Sequence, residues 1–405
     1  MRSTSERTGS AILKRAIYLS FAAVCLGAAA HANTITASSC SSSDVQNAIN
    51  SASTGDTVVV PGGSCNWSSG VSIPSSKAIT VNGGGNTTIS GGISLTAGTS
   101  GTSRITGFTF TSNNAITTQG STSTSPFRID HNTFSEPNSQ AIFVVCNGNG
   151  PGLLDHNTFN GGSASEMIHN MGMGATDASG WSDNIVPGGP NMLFIEDNTF
   201  TYNASGNPAY FWGTSALESY YGARTVFRHN TCNMCQVDQH GTAGMIGARW
   251  WEFYENTFNV VPNGNQSDYI VIRAGSGVIF NNHVTGASNN QGAGSINLYE
   301  EDSGYPALYQ VGRGINQNYS PAYIWGNDSS MSVSSGSSNV VAGRDFIVST
   351  SQPSSMHRWE LSTDNASTTY SYTPYTYPHP LQGQSAPPPP TPAPNAPGSL
   401  SAKAK

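Results

Sequence analysis

The residues of this chain that can perform acid–base chemistry are concentrated in one short stretch. Asp, Glu, Lys and Arg make up only 10% of the sequence. Residues 228–258, RHNTCNMCQVDQHGTAGMIGARWWEFYENTF, nevertheless contain two arginines, two histidines and three acidic residues. Side chains of these types can transfer protons, or stabilise charge that develops during a reaction. The stretch is therefore either a catalytic surface or a polar structural seam.

The candidate catalytic residues are Arg249, His240, Arg228 and Asp238. We expect them to converge in one groove with Glu196 and Asp197, where an arginine lowers the pKa of a neighbouring carboxyl group and both groups are oriented. Glu196 and Asp197 are also candidate ligands for calcium, which binds carboxylate oxygens. In the structural alternative, ion pairs connect neighbouring segments and Arg228 simply neutralises Glu196.

Aromatic side chains close to these residues could contact the apolar faces of sugar rings. Others are expected to anchor their own loops by packing. The candidates for substrate contact are Trp250, Trp251, Trp181, Trp212 and Tyr221.

A repeated phrase indicates which elements position these residues. It is written FRIDHNTF at 127–134, EFYENTF at 252–258 and similarly at four other places. Successive asparagines of the phrase are 25, 41, 32, 26 and 26 residues apart, at Asn132, Asn157, Asn198, Asn230, Asn256 and Asn282. A period in the mid-twenties, with strand-like alternation and no helical spacing, predicts a parallel β-helix.

The residues around each asparagine predict how a coil is built. Apolar residues three positions before it and two positions after it should face inward, which makes Phe134, Phe159, Phe200 and Phe258 an interior stack. The asparagine should mark a corner, adopt a left-handed backbone conformation and bond to the asparagines of adjacent coils. The two long spacings predict loops that wall the groove.

The ends of the chain differ in composition from the repeats. Residues 1–32 have a basic start, an apolar run and a small-x-small ending, as in a cleaved secretory signal peptide. Residues 42–52 place apolar residues on one helical face and are expected to cap a β-helix domain at 33–382. The Pro-rich segment 383–405 is predicted to be a disordered tail.

Cysteine usage fits an exported protein. Cys40 and Cys65 flank the first mature segment and are expected to form a disulfide in an oxidising compartment. Cys232 and Cys235 form a CxxC without a second such pair, so a local disulfide or two packed thiols is expected there. Cys146 is left over.

The segment CSSSDVQNAINSASTGDTVVVPGGSCNW, followed by the asparagine coils, resembles secreted bacterial right-handed parallel β-helix repeat proteins of the pectate-lyase-like superfamily. The resemblance implies an all-β fold with a short N-terminal capping helix. It also implies a polysaccharide partner. The segment ARWWEFYENTF resembles the strand of pectate lyases that carries an arginine base, which would be Arg249 here. The His-Gly pair at 240–241 resembles the family of pectinase hydrolases.

Three functions remain open at this point. The first is a polysaccharide lyase acting by β-elimination on an acidic glycan. The second is a glycoside hydrolase with two carboxyl groups flanking the scissile bond. The third is a non-catalytic glycan-binding or surface protein.

Charge restricts the partners of this chain. Four basic residues and one acidic residue lie in 1–32, so the net charge of −7 becomes −10 in the remaining chain. Nucleic acid is therefore excluded as a partner. A uronate polymer would also be repelled unless calcium or another cation assists. We expect a secreted monomer, extracellular or periplasmic, with no membrane span.

Overall fold

The structure is a computed structural model of the full chain. It describes residues 32–98, 100–119, 125–135, 143–148, 150–161, 166–172, 181, 185–202, 215–241, 246–260, 268–286, 296–300, 310–314, 318–359 and 367–383. The predicted signal peptide, except Ala32, and the predicted tail, except Gly383, lie outside these residues. Most of the two loops predicted to wall a groove also lies outside them.

The described chain winds into a solenoid with three faces, and the strands within each face are parallel. A complete coil contributes one strand to face 3, then one to face 1, then one to face 2. Face 1 contains β1 (Thr34–Thr36), β2 (Thr57–Val59), β9 (Phe127–Asp130), β12 (Gly152–Asp155), β15 (Leu193–Glu196), β18 (Arg224–Arg228), β21 (Trp250–Tyr254), β24 (Ser276–Phe280), β27 (Ala322–Trp325) and β29 (Phe346–Ser349). Face 2 contains β3 (Gly63–Asn66), β10 (Thr133–Ser135), β13 (Thr158–Gly161), β16 (Thr199–Tyr202), β19 (Thr231–Asn233), β22 (Thr257–Asn259) and β25 (His283–Thr285). The long strands β5 (Thr80–Ser90) and β7 (Ser103–Phe110) run through faces 1 and 2.

Face 3 contains β4 (Val71–Ile73), β6 (Ile93–Thr96), β8 (Ile116–Gln119), β11 (Val144–Cys146), β14 (Ile168–Asn170), β17 (Ser215–Ser219), β20 (Gln236–Gln239), β23 (Ile270–Ile272), β26 (Ile296–Leu298) and β28 (Val333–Ser335). An antiparallel hairpin of β30 (Met356–Trp359) and β31 (Ser367–Tyr370) follows the last coil. Neighbouring coils pair in register, so equivalent residues stack along the solenoid. The predicted parallel β-helix is confirmed.

The six predicted asparagines form one buried ladder at the corner between faces 1 and 2. Asn132 donates from Nδ2 to Oδ1 of Asn157 at 3.1 Å, and equivalent bonds continue to Asn282. The ladder extends one step further to Asn327, which the sequence analysis did not identify. From Asn157 onward, each side-chain oxygen also accepts the backbone N–H of the preceding asparagine. The predicted column is therefore confirmed.

The left-handed backbone conformation lies one residue before each asparagine, and its prediction at the asparagine itself was wrong. The φ angles there are 52–57° at His131, His156, Asp197, His229, Glu255 and Asn281. Because the asparagine amide is committed to the ladder inside the corner, the preceding residue makes the sharp turn. This conformation costs about 1–2 kcal/mol for a residue other than glycine.

The predicted phenylalanines lie inside face 2. The rings of Phe134 and Phe159 stack with their centroids 4.7 Å apart, as do those of Phe159 and Phe200. In the register Cys232 separates Phe200 from Phe258, and all four phenylalanines are fully buried. Their predicted interior position is confirmed.

One α-helix, α1 (Ser42–Ser51), is present in the described part of the chain and packs at the N-terminal end of the solenoid against β2 and β4. The Ser41 hydroxyl caps it by accepting the backbone N–H of Asp44 at 3.3 Å. Val45, Ala48 and Ile49 are buried on its inner face. The predicted capping helix is thus confirmed. No helix in the described ranges is long and apolar enough to cross a membrane.

The disulfides follow the sequence analysis. Cys40 and Cys65 are bonded, with their Cα atoms 6.0 Å apart, and this pair ties the segment before α1 to β3. Cys232 and Cys235 form a local disulfide, which was one of the two expected alternatives. Cys146 is a buried free thiol, and burial raises its pKa to about 12. Two disulfides are consistent with an oxidising compartment.

Removing the Cys40–Cys65 disulfide is expected to cost about 3 kcal/mol of unfolding free energy, because the bond closes a loop with a sequence separation of 25 residues. The measurement is urea unfolding of the Cys40→Ser, Cys65→Ser double variant against the oxidised wild type. Adding reductant to that variant should then have little further effect on the N-terminal coils. A loss below about 1 kcal/mol would contradict the stabilising role.

Candidate functional site

Arg228 and Glu196 form a fully buried ion pair between neighbouring coils of face 1. Arg228 Nε lies 2.6 Å from Glu196 Oε2. Arg128 pairs in the same way with Asp155 at 2.7 Å, and Arg104 pairs with Asp130. These pairs form the ladder that the sequence analysis stated as its structural alternative.

These ion pairs of face 1 are covered by residues 371–383, which we call the C-terminal strap. Arg228 donates hydrogen bonds to the backbone oxygens of Tyr375 and Thr376, and Arg128 donates to that of Leu381. The strap therefore crosses face 1 from the late coils towards the early ones. It covers the charged residues of face 1 that had been expected to face a substrate groove.

Glu196 and Asp197 were expected to offer oxygens to calcium, but both contact the strap instead. Glu196 Oε1 accepts from the backbone N–H of His379 at 2.8 Å and from the Gln382 amide at 2.7 Å. Asp197 accepts from Tyr377 and Gln382, each at 2.7 Å. Since these donors and Arg228 already occupy the carboxylate oxygens, the two residues do not form an available cation site.

Burial shifts the pKa of Glu196 beneath the strap and that of His379 within the strap. It raises the pKa of Glu196, and the charge of Arg228 offsets this only in part. Burial and the charges of Arg228 and Arg128 lower the pKa of His379 to about 4. The neutral imidazole is also favoured because its Nδ1 accepts the backbone N–H of Leu381 at 3.2 Å.

Lowering the pH from about 6.5 to about 4 is expected to destabilise the wild type more than a His379→Asn variant. His379 has a lower pKa in the folded chain than the value of about 6.5 in an unfolded chain. The unfolded state therefore binds more protons in this window, and stability is lost as pH falls. The expected difference is on the order of 2 kcal/mol.

Urea unfolding of both proteins at pH 7.5 and pH 4.5 tests this expectation. Asparagine keeps an acceptor for the Leu381 N–H but does not titrate. Glu196, Arg228 and Arg128 also face His379, and they are present in both proteins, so their contributions cancel in the comparison. His283→Asn, at a side chain that is 58% exposed, is the control. Equal pH slopes for the wild type and His379→Asn would contradict the expectation.

Arg249 and the neighbouring tryptophans are packed rather than exposed. The Arg249 guanidinium is fully buried between the indoles of Trp181 and Trp359, 5.0 and 4.7 Å from their ring centroids. Trp251 points into the solenoid core, and Trp250 packs on the outside beneath Tyr370 of β31. Adjacent residues of a strand point to opposite faces, so these two tryptophans could not both have lined a groove.

The other predicted aromatic residues are Trp181, Tyr221 and Trp212, of which the structure describes the first two. Trp181 is fully buried, and its Nε1 donates to the backbone oxygen of Gly247 at 3.0 Å. Tyr221 is half-buried beside Trp181 and Ile246. Trp212 lies outside the described residues. Of this set, Tyr221 is the described residue with part of its side chain left for a ligand.

The predicted convergence into one groove is not found. Arg228 and Glu196 lie on face 1, whereas Asp238 and His240 belong to face 3 and its end. A coil turns through a corner between consecutive strands, so residues that are close in sequence are directed to different faces. Asp238 and His240 remain together, and face 3 surrounds them with other polar residues.

Face 3 carries one outward row of residues in register. His169 pairs with Glu218, Glu218 with Asp238, and Asp238 with Val271 on consecutive coils. The row continues from Val271 to Asn297. Strands in a sheet lie about 4.8 Å apart, so three ionisable side chains stand side by side in the middle of the face.

These residues belong to a larger group, which we call the face-3 cluster: Glu166, His169, Glu218, Tyr220, Asp238, His240 and Arg273. Arg273 Nη2 lies 3.1 Å from Glu218 Oε1 and 2.5 Å from Asp238 Oδ2. His240 Nε2 lies 3.9 Å from Glu218 Oε1. Two nitrogen atoms of the cluster therefore lie within 4 Å of the same oxygen of Glu218.

The other members of the cluster contact Glu218 or its neighbours. His169 Nε2 hydrogen-bonds Glu166 and lies 3.8 Å from Glu218 Oε2. The Tyr220 ring packs against His240, with a centroid separation of 4.5 Å. The side chains of His169 and His240 are each 14% exposed, and that of Glu166 is 29% exposed. A ligand on face 3 can therefore reach the imidazoles, while Glu218 lies beneath them.

The carboxyl groups of the cluster differ in their pKa. Burial, the charge of Asp238 and the adjacent Glu166 raise the pKa of Glu218 to about 9. Burial also raises the pKa of Glu166, but hydrogen bonds with His169 and Glu218 outweigh it and the net shift is downward. Burial and Glu218 raise the pKa of Tyr220. Near pH 7 the site thus holds a protonated carboxyl group beside an ionised one.

Three members of the cluster could hold a metal ion. Glu166, His169 and Glu218 each offer a ligand atom, and these atoms lie within 4.8 Å of one another. The buried Oε2 of Glu218 has no hydrogen-bond partner among the described residues, although the Tyr220 side chain interacts with the same carboxyl group. A divalent cation would satisfy that oxygen in competition with the proton. The residues present therefore fit a cation.

Sequence reasoning found Asp238 and His240 but missed Glu166, His169, Glu218 and Arg273. The asparagine phrase marks the corner between faces 1 and 2, and the loops between face 3 and that corner vary in length. No fixed spacing therefore locates face 3. The available signal was local alternation, with an inward apolar residue followed by an outward polar one in Ile168-His169, Leu217-Glu218 and Val237-Asp238.

No protein-family model and no curated protein matches this sequence. A solved alginate lyase from Paenibacillus sp. str. FPU-7 is similar, with 15% identity and a TM-score of 0.30, covering 79% of this chain and 95% of that one. A mutant of AlyGC, an alginate lyase of the PL6 family, is similar with 9% identity and a TM-score of 0.34, covering 85% of this chain. This chain spans 57% of the AlyGC chain. Such values assign no activity.

Proposed function

We propose that this chain is a secreted polysaccharide lyase whose active site is the face-3 cluster. One observation carries the proposal: the imidazole of His240 and the guanidinium of Arg273 both lie within 4 Å of the buried carboxyl group of Glu218. This group of side chains stands on an outward face of the solenoid, where a polymer can lie along the coils. The catalytic roles first considered for Arg249 and Arg228 pass to His240 and Arg273.

β-Elimination needs a base, a stabiliser of negative charge and an acid. In this proposal the uncharged His240 removes the proton from C5 of a uronate residue. The electron pair forms the C4–C5 double bond, and the C4–O bond breaks. Tyr220 gives its proton to the departing oxygen, because a tyrosine hydroxyl is protonated near pH 7. Tyr220 and His240 are in ring contact, so base and acid act on adjacent atoms.

Negative charge develops on the uronate carboxylate during this reaction. Arg273 is the cationic side chain beside the cluster, although Glu218 and Asp238 share its charge. A divalent cation held by Glu166, His169 and Glu218 would supply the further charge stabilisation. Two carboxylates and one imidazole suit manganese or zinc, whereas calcium prefers oxygen ligands alone. A bound cation would also reduce the electrostatic repulsion between a polyanion and a chain with a net charge of −10.

A glycoside hydrolase is the second candidate, and one specific observation favours it. Glu218 has a raised pKa, while its neighbour in the row, Asp238, is held in an ion pair by Arg273. A protonated carboxyl group next to an ionised one is the arrangement that glycosidases use to cleave a glycosidic bond. Non-catalytic glycan binding is the third outcome.

The test is to incubate the secreted protein with a panel of polysaccharides, with EDTA and with added manganese, zinc or calcium. Elimination produces an unsaturated sugar that absorbs ultraviolet light, whereas hydrolysis produces new reducing ends alone. Tyr220→Phe and His240→Ala should each lower the rate by about 10²–10⁴-fold. His283→Ala, on face 2, should have no effect.

Each result decides between the candidates. Reducing ends without ultraviolet absorbance would replace the lyase with the hydrolase. Full activity in both Tyr220→Phe and His240→Ala would place the active site elsewhere. Binding without any cleavage across the panel would make the chain a glycan-binding protein.

A further inference from the structure

A cavity of about 290 Å³ opens on face 3 directly beside the cluster. Asp238 belongs both to the cluster and to the cavity wall. Gln236, on the same strand as Asp238, forms part of the remaining wall, and later coils contribute Asp268, Val271, Asn297 and Tyr299. Because Val271 and Asn297 continue the outward row from Asp238, a polymer that passes the cluster along face 3 enters this cavity.

The wall chemistry suits a sugar ring. The amides of Gln236 and Asn297 can both donate to and accept from hydroxyl groups. Val271 and the Tyr299 ring offer apolar contact to the C–H face of a sugar, and a small number of polar groups fix orientation in such a pocket. Gly336 keeps the rim open, since an added Cβ would lie 3.0 Å from Asn297 Oδ1.

The charge of the wall disfavours a carboxylate. Its described residues include two acidic side chains, Asp238 and Asp268, and no Lys or Arg. The sequence contains no Lys or Arg between Arg273 and Arg313, which spans the coils bordering the cavity. Arg273 itself contacts Asp238 and Glu218. Among the described lining residues, a uronate in this cavity would therefore meet carboxyl groups and no Lys or Arg side chain.

We infer that this cavity is a subsite for an uncharged sugar residue. Its acidic and amide groups accept hydrogen bonds from sugar hydroxyls, while the cluster one coil earlier handles the charged residue. Combined with the proposed function, on which this step rests, the substrate is a heteropolysaccharide in which the uronate at the cleavage point has an uncharged neighbour. A polymer made of uronates alone fits this face poorly.

Saturation-transfer NMR and calorimetry test the inference with defined probes. These are tetrasaccharides of mannose, glucose and galactose, a tetragalacturonate, and a glucosamine tetramer as the cationic case. At least one neutral probe should bind the wild type at least 10-fold more tightly than tetragalacturonate. Asn297→Ala should weaken the binding of that neutral probe at least 10-fold. Asn297→Lys should also weaken its binding, while it strengthens the binding of tetragalacturonate. Asn113→Ala, at an exposed turn, should change neither, and melting curves confirm that each variant folds.

The outcomes separate this inference from the proposed function. Neutral binding that depends on Asn297, without elimination activity on any polymer, would remove the lyase proposal and leave the subsite. Elimination of a pure uronate polymer at full rate in both Asn297 variants would leave the lyase and overturn the subsite. Tightest binding of the glucosamine tetramer, or no binding of any neutral probe, would also overturn it.

Discussion

Arg228→Ala is expected to lower the free energy of unfolding by about 3–5 kcal/mol, the usual cost of removing one partner from a buried ion pair. The change leaves the Glu196 carboxylate fully buried without its cation. It also removes the donor to the Tyr254 hydroxyl and to the strap oxygens of Tyr375 and Thr376. We therefore expect the strap to become susceptible to proteolysis before the coils unfold.

Urea unfolding and limited proteolysis measure the two effects of Arg228→Ala. Arg344→Ala is the matched control, because its side chain is 39% exposed and its partner Asp345 also contacts Arg313. The control should lose less than about 1 kcal/mol. An unchanged melting temperature in Arg228→Ala, together with lost turnover, would restore the catalytic interpretation of this arginine.

Phe200→Ala is expected to cost about 3–5 kcal/mol, as for other fully buried phenylalanines. Phe200 lies in the middle of the solenoid, stacked on Phe159 and in contact with Phe227 at a centroid distance of 5.6 Å. Its coil neighbours are fixed by strand pairing, so they have little freedom to close the resulting cavity.

Thermal and urea unfolding of Phe200→Ala check this value. Phe200→Leu should lose less, because it leaves a smaller cavity. Val348→Ala, at a side chain that is 54% exposed, should stay within about 0.5 kcal/mol of wild type. A loss below about 1 kcal/mol in Phe200→Ala would mean that the interior of face 2 can repack.

The core of the solenoid was predictable because every coil meets the same local requirement. Each coil needs an inward apolar residue on either side of a corner, and each corner needs an amide that bonds to the next. Asparagine, as at Asn198, and an apolar residue two positions later, as at Phe200, therefore recur at matching positions of each coil. The period of the repeat is enough to identify them. The cap helix and the Cys40–Cys65 disulfide were predictable for a similar reason, since each depends on nearby residues.

The candidate site was only partly predictable because contacts distant in sequence decide it. Nothing near Glu196 indicates that His379 and Gln382 return to cover it. Arg249 looked available in the sequence, yet Trp359 closes over it from the C-terminal hairpin. By contrast, no sequence signal identified Glu218, although the strand pairing of face 3 places it in the only group of described residues that could hold a metal.

The C-terminal strap also changes how this molecule can open. A solenoid whose coils touch only their neighbours can fray one coil at a time from either end. Here Tyr372 packs against Trp325 of a late coil, while Leu381 is held by Arg128 several coils earlier. Opening β27 therefore also requires the Tyr372 end of the strap to detach, so backbone amides of this strand should exchange with solvent more slowly than those of a terminal coil that lacks such a contact.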